Sequence, residues 1–546
     1  MMTGAQAMIK GLKEQGVDII FGYPGATICP FYDELAKSEN DGGIRHILVR
    51  QEQNAGHMAS GYARKSGRVG VCVVTSGPGA TNLITGIATA YMDSIPIVAI
   101  TGQVPTEVLG RDVFQEVDIT GACAPFVKHS YLVKDAAQLP RIMREAFHIA
   151  STGRPGPVLI DVPSDIQNQE FEYTDPGEVN IRGYKPSISG HAKQIKKVAA
   201  EIQGTKKPLI CAGGGVFSSG AQDLIKKLSE SAHIPVVTTM MGLGVMPSDD
   251  KMNLGMIGQF GNSAANYALN NNDLLIIIGA RVGDRAVTSP DKMAEKTRTI
   301  HIDIDPAEIG KNMTPTVPLV GDVKNILIKL LAENPVADSA EWIEEVTERS
   351  EKEKHKISEK RPAGTVGPRN FMLELGKQLN DDSYVVADVG QNQIWAGKYI
   401  PVKKGRFLTS GGLGTMGYSL PAGIGVKFAD PGRQTVVVCG DGSFQMMLNE
   451  LSTVSGNGLD LKVVLFNNRR LGMVNEIQKK AYSEGPFAVY MPETPDFCKL
   501  ADAYGIAHRF VDNEDDMSAA IAEMLSYDGP FLLECRIDPD ESTMIQ

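Results

Sequence analysis

The sequence predicts an α/β protein of three doubly wound parallel-sheet domains, and two observations carry that expectation. Short apolar, β-branched runs recur along the 546 residues, at 71–74, 96–100, 158–161, 274–278, 435–438 and 463–466, with longer amphipathic segments between them. A strand buried on both faces reads as one continuous apolar run, and its alternation with helices is the pattern of a parallel sheet covered on both sides. The second observation is length: at roughly 150 residues per domain the chain holds about three or four domains. Two stretches interrupt the alternation and read as linkers. Residues 171–190 are rich in Pro, Gly and polar side chains, and residues 341–367 are charged and run into Arg361-Pro-Ala-Gly-Thr-Val-Gly-Pro368. The expected domains are therefore residues 1–170, 190–340 and 366–546.

Composition narrows the function. Hydrophobic residues make up 42% and charged residues 22% of the chain, which excludes disordered and fibrous classes. The net charge is −11 and no dense run of Lys and Arg occurs, so binding to nucleic acid or to an anionic membrane has no electrostatic basis. No run approaches the ~18 apolar residues of a membrane span. Residues 1–21 alternate charged and apolar groups at helical spacing, unlike a signal peptide. These features predict a cytoplasmic protein acting on small molecules. The seven cysteines stand singly, without CxxC spacing, and read as reduced packing residues.

The first and third domains echo each other. Residues 71–74 lead into Thr75-Ser-Gly-Pro-Gly-Ala-Thr-Asn82, and residues 435–438 into Cys439-Gly-Asp-Gly-Ser-Phe444. Each reads as a buried strand, a Gly-x-Gly turn and a helix, which puts backbone N–H groups at the carboxyl edge of a sheet, where anions settle. Asp441 follows one such strand, and Asn468 follows the next, in Phe466-Asn-Asn468. Consecutive parallel strands end on one edge, so this carboxylate and amide oxygen can converge on a hard cation such as Mg²⁺, with a phosphate completing its shell. Gly440 and Gly442 would let a diphosphate approach the backbone. Ordinary turn chemistry fits the same residues: an Asp capping the next helix and an Asn-Asn turn after a strand.

The whole pattern, GDG followed at a distance by NN, resembles the diphosphate motif of thiamine diphosphate enzymes. That resemblance implies metal ligation by Asp441, Asn468 and the backbone carbonyl of Arg470. Arg50-Gln-Glu52-Gln-Asn-Ala55 resembles the R-x-E-x-x-A segment of these enzymes and assigns Glu52 to the aminopyrimidine of the cofactor, as the carboxyl group that relays its proton. Further runs, among them Phe21-Gly-Tyr-Pro-Gly-Ala26, Thr101-Gly-Gln-Val-Pro105, Phe114-Gln-Glu116, Lys128-His129, Ser410-Gly-Gly-Leu-Gly-Thr-Met-Gly417 and Leu471-Gly-Met-Val474, make nearly the entire chain similar to the acetolactate (acetohydroxyacid) synthase family. The implied thiamine diphosphate contacts are Gln391, Asn392, Gly414, Thr415, Met416, Gly440, Gly442, Ser443, Leu471, Gly472 and Met473, with Met416 under the bent cofactor. Gly25, Phe114, Gln115 and Lys128 are implied around the substrate, Gly25 through its backbone N–H. Arg285 is implied at the carboxylate of the second substrate, a task a guanidinium fork suits.

The middle domain is similar to the family's FAD-binding domain, in a structural role. The resemblance places FAD against Arg182, Gly214, Met240, Arg281, Asp303, Ile304, Asp322 and Val323. Its implied reaction is decarboxylation of pyruvate on thiamine diphosphate and ligation of the two-carbon unit to a second 2-oxo acid, in branched-chain amino acid biosynthesis. It also implies a homodimer or homotetramer, with the cofactor site between the first domain of one subunit and the third of its partner, and a regulatory small subunit. Three positions depart from the family pattern: Asn392 and Phe260 stand where His is usual, and Ile477 where Trp shapes the acceptor pocket. Another thiamine diphosphate-dependent 2-oxo acid decarboxylase or carboligase is the alternative reading.

Overall fold

The computed structural model describes residues 1–287, 289–354 and 362–543. It contains three six-stranded sheets, each wholly parallel. The first runs Arg45–Leu48, Ile19–Tyr23, Gly70–Val74, Ile97–Gln103, Val158–Pro163, His129–Leu132. The third runs Arg406–Leu408, Tyr384–Ala387, Thr435–Gly440, Lys462–Asn467, Phe531–Arg536, Ala507–Val511. Numbered along the chain, both follow the order 2-1-3-4-6-5, so the echo in the sequence extends to the topology. The middle sheet runs Asn253–Met256, Val236–Thr238, Pro208–Ala212, Leu274–Ile278, Arg298–Asp303, Val317–Val320, the order 3-2-1-4-5-6 of a dinucleotide-binding fold.

In such sheets ligands settle beyond the carboxyl ends of the strands where the order reverses. That point lies between Ile19–Tyr23 and Gly70–Val74 in the first sheet, and between Tyr384–Ala387 and Thr435–Gly440 in the third. In the middle sheet it lies between Pro208–Ala212 and Leu274–Ile278. The strands leave these points as Tyr23-Pro-Gly25, Thr75-Ser-Gly77, Ala387-Asp388, Gly440-Asp441, Ala212-Gly213 and Ile278-Gly279.

One apolar core joins the first sheet to the third, running from Phe21, Met58 and Ile87 to Ile424, Val437 and Leu465. The joint is a helix pair. Glu52–Ser66 starts with an acid, ends with Arg64 and Lys65, and stops at left-handed Gly67, each in keeping with the helix dipole and C-cap preference. It lies so close to Ser419–Ala429 that a Cβ on Gly61 would sit 1.9 Å from the Ala422 carbonyl oxygen, and one on Gly425 2.0 Å from that of Met58. Glu450, fully buried, fastens the start of the same helix by accepting from the Arg50 amide and Asn54 Nδ2, both at 2.9 Å.

The structure corrects the second expected linker. Residues Ala340–Lys354 form a helix, not a connector. Trp342 and Val346, one turn apart, are buried in the core of the middle sheet, and the Trp342 indole donates to the Pro208 carbonyl at 3.0 Å. These two apolar side chains at i and i+4 anchor an otherwise charged helix, and its Glu353 carboxylate also accepts the amides of Ser263 at 2.9 Å and Ala264 at 3.0 Å. Residues 355–361 lie outside the described residues. Cys29 is also corrected, being exposed, whereas five of the other six cysteines are buried.

Candidate functional site

The third sheet gathers most of the residues expected at a diphosphate. Asp441 opens a short helical turn and is 2% exposed. Its Oδ1 accepts from the Gly442 amide at 3.0 Å, and its Oδ2, also buried, has no hydrogen-bond partner among the described residues. Burial pushes its carboxyl up to about 7, against backbone amides at Arg469 and Gly442. Beside it the loop turns on two side-chain acceptors: Asn467 Oδ1 takes the Arg469 amide at 3.2 Å and Asn468 Oδ1 the Arg470 amide at 3.0 Å. Arg469 sits at φ 54°, a left-handed conformation that side-chain-to-backbone bonds of this kind hold. The turn chemistry read in the sequence is therefore present. It leaves Asp441 Oδ2 and a second lone pair on Asn468 Oδ1 unspent.

Gln391 closes the cluster. Its Oε1 accepts from Asn468 Nδ2 at 3.4 Å, and its Nε2 donates to Glu476 Oε2 at 3.0 Å and to the Glu541 carbonyl at 2.8 Å. A Cβ on Gly472 would lie 1.9 Å from Gln391 Oε1, and one on Gly442 would lie 2.8 Å from Leu471 and 3.7 Å from Met416. Asn392 ties its helix to the sheet by donating to the carbonyls of Asp388 at 2.8 Å and Val438 at 3.3 Å. Ser443 Oγ accepts from the Gly440 amide at 3.3 Å. Thr415 stands apart, its hydroxyl 2.8 Å from that of Thr89 on the first unit. Asp388 was not singled out in the sequence. Fully buried, it accepts from the amides of Gly417 at 2.9 Å and Ser419 at 2.8 Å and so holds the Met416 turn. An acid directly after an apolar strand was its only signal.

The first sheet gathers a second set. Glu52 is held through Oε2 by Asn82 Nδ2 at 3.0 Å, and its Oε1 faces Gly79. Gly25 packs on Thr75 so tightly that a Cβ would meet its side chain at 2.5 Å. The Gln115 backbone lies against Gly77, and Phe114 is 87% exposed. Lys128 does not join them. Its ammonium turns inward to the carbonyls of Ile149 and Thr152, the latter at 2.7 Å, and to the Tyr184 hydroxyl at 3.0 Å, and burial pulls its pKa down to about 8. Among the described residues, no hydrogen bond or ion pair links the Glu52 set with the Asp441 set.

A cavity of about 1360 Å³ lies over the switch point of the middle sheet. Gly214, Met240, Arg281, Asp303, Ile304, Asp322 and Val323 line it, and so do Gly414 and Met473 from the third unit. Arg285 is at its edge, its guanidinium largely exposed and donating to Gln259 Oε1 at 2.8 Å. Burial raises Asp303 to about 6. Arg182 lies on an exposed turn and is not among the lining residues. Asp93, missed in the sequence, fastens the third unit's glycine run to this wall by accepting from Arg64 Nη2 at 3.0 Å and the Gly412 amide at 2.7 Å.

Among the described residues no three His, Cys, Asp or Glu side chains converge as a metal site. A cation at Asp441 would need amide and carbonyl oxygens, which suit Mg²⁺.

Comparison with known proteins matches the three units separately. Residues 2–122 match the N-terminal TPP-binding domain of thiamine pyrophosphate enzymes, residues 195–330 their central domain, and residues 388–535 their C-terminal TPP-binding domain. Over 99% of its length the chain is 45% identical to a probable acetolactate synthase large subunit of Methanocaldococcus jannaschii, covering 93% of that protein. It is 44% identical to an acetolactate synthase of Arthrospira platensis and 42% to an acetolactate synthase large subunit of Lactococcus lactis, each over 99% of this chain and 95% and 94% of theirs. The chain belongs to the acetolactate synthase large-subunit family of thiamine pyrophosphate enzymes.

Proposed function

We propose that the chain is the catalytic subunit of an acetolactate synthase, decarboxylating pyruvate and joining the two-carbon unit to a second 2-oxo acid, pyruvate or 2-oxobutanoate. The observation that carries this reading is the unpartnered, buried Asp441 Oδ2 at the switch point of the third sheet. A buried carboxylate oxygen without a donor is costly unless a cation meets it. Asp441, Asn468 and the Arg470 carbonyl would hold Mg²⁺, and Gly440, Gly442, Ser443, Gln391 and Gly472 would receive the diphosphate. Met416 and Leu471 supply the apolar support beside them. When bound, thiamine diphosphate supplies the carbon nucleophile and the electron sink of the reaction.

Glu52 would hold and return a proton at Oε1, while Asn82 keeps Oε2. The Gly25 N–H would donate to developing oxyanion charge. Phe114 and Gln115 would face the substrate, and Arg285 would receive the carboxylate of the acceptor. The middle cavity has the glycine turns, cations and strand-end Asp303 that suit FAD, in a structural role.

Because no hydrogen bond or ion pair links the Glu52 and Asp441 sets among the described residues of one chain, we join them between two chains, in a homodimer or homotetramer. The large-subunit names of its relatives support a small regulatory partner. A net charge of −11, and no helix long and apolar enough to cross a membrane among the described residues, support a cytoplasmic enzyme of branched-chain amino acid biosynthesis. The test is purified protein with thiamine diphosphate, Mg²⁺ and FAD, offered pyruvate and analysed by mass. Acetolactate supports the proposal; acetaldehyde, or unconsumed pyruvate, assigns the scaffold to another 2-oxo acid decarboxylase or carboligase.

A further inference from the structure

A buried carboxylate lies beside the Glu52 set and has no part in the proposed chemistry. Asp161, in Val158–Pro163, is 1% exposed and among the described residues has no ion-pair partner. Its Oδ1 accepts from the Thr101 hydroxyl at 2.7 Å and its Oδ2 from Gln103 Nε2 at 2.9 Å, both from the neighbouring strand. Gln103, itself buried, donates its other amide hydrogen to the Val117 carbonyl at 2.8 Å, and its Oε1 accepts the Val104 amide at 2.9 Å. Both donors of that amide are thus spent, and the two oxygens that accept them, of Asp161 and of Val117, fix which way the group faces.

Val117 ends the loop 109–117, which is an expensive conformation to hold. Asp112 and Gln115 both lie in the left-handed region, at φ 53° and 60°, and neither is glycine. Within the loop the Glu116 carboxylate takes the amides of Gly110 and Val113, and at its end Val117 packs on the core while its carbonyl also accepts the Ile119 amide at 2.9 Å. Gln103 is a buried side chain that ties the loop to the sheet at Val117, two residues from Gln115, whose Cα lies 2.9 Å from where a Cβ on Gly77 would be. Gly77 in turn precedes the helix Pro78–Met92 that carries Asn82 to Glu52.

We propose that Asp161 and Gln103 are positioning residues for the reaction: Asp161 orients the Gln103 amide, and Gln103 holds the Val117 carbonyl, so that Phe114 and Gln115 stand beside the Glu52 set. The inference rests on the reading that Phe114 and Gln115 face the substrate. Gln103→Met keeps the volume and removes both donors. It raises the pyruvate KM about tenfold with kcat within about threefold, because the proton and diphosphate groups are untouched. In the protein without cofactor, amide exchange of residues 109–117 accelerates about tenfold while that of the strand 70–74 is unchanged. Asp161→Ala has the same two effects. Asp161→Asn restores parental values, its Oδ1 accepting from Gln103 and its amide donating to the Thr101 oxygen.

A parental KM and parental loop exchange in Gln103→Met overturn the inference, as does a fall in kcat that merely tracks loss of folded protein. Gln115→Ala separates the underlying reading. A raised KM there with a parental one in Gln103→Met overturns the positioning inference alone, and a parental KM in Gln115→Ala overturns both.

Discussion

Asn82 holds Glu52: its side-chain amide donates to Oε2 at 3.0 Å, from a helix that starts at the Gly77 turn of the first sheet. One carboxylate oxygen is thereby fixed and the other is left for a ligand. Glu52→Gln keeps the size of the side chain and removes the proposed proton relay. It lowers kcat by about 10³-fold, the middle of the range for general acid–base groups, while the thiamine diphosphate Kd stays within about threefold because the residues proposed at the diphosphate lie on another sheet. Steady-state kinetics and a calorimetric titration check the two halves of this statement.

The contact between Gly61 and the Ala422 carbonyl leaves no room for a methyl group. Gly61→Ala must push the two helices apart, and it destabilises the protein by about 3 kcal/mol, in the range of overpacked cores. Denaturant unfolding measures the loss, and near-parental stability would show that the first and third units are not joined there.

His57 is buried in the same joint, beside the Tyr418 ring at 5.2 Å, with neither ring nitrogen hydrogen-bonded among the described residues and burial holding its pKa at about 3. The folded state therefore binds fewer protons than the unfolded state between about pH 6.5 and 3, and this contribution to stability is lost as pH falls through that window. The parental protein loses about 1.4 kcal/mol per pH unit on this account. His57→Leu removes that slope, so the stability difference between variant and parent grows in favour of the variant on acidification from pH 6.5 to 5.

Ile477 lies one turn beyond Met473 on Gly472–Ala481, half exposed and lining the large cavity with Arg281 and Arg285. Ile477→Trp fills this wall and raises the ratio of 2-oxobutanoate-derived to pyruvate-derived product by about tenfold. Competition between the two acceptors, read by mass, checks it.

What the sequence disclosed follows from where each residue sits. All six apolar runs are interior strands, which must be apolar on both faces. The edge strands His129–Leu132 and Ala507–Val511 escaped because solvent on one side admits His and Arg. Asp441 and Asn468 were legible because strand ends on one sheet edge are neighbours whatever the loops do. The inward turn of Lys128 was not legible, since it depends on carbonyls left free at the end of the helix Leu139–Ser151. Nor was Asp388, whose partners Gly417 and Ser419 lie on a different turn. The helix Ala340–Lys354 was hidden by its charge, because Trp342 and Val346 are its buried core side chains and the rest of its surface is largely charged.

In the proposed dimer each catalytic centre is assembled from the Glu52 set of one chain and the Asp441 set of the other. Co-expression of Glu52→Gln with Asp441→Ala, each inactive alone, tests it directly. Random pairing makes half the dimers mixed, and each mixed dimer carries one centre with both parental sets, so about a quarter of the parental activity is recovered. No recovery in isolated mixed dimers would contradict it and place both sets of each centre in the same chain.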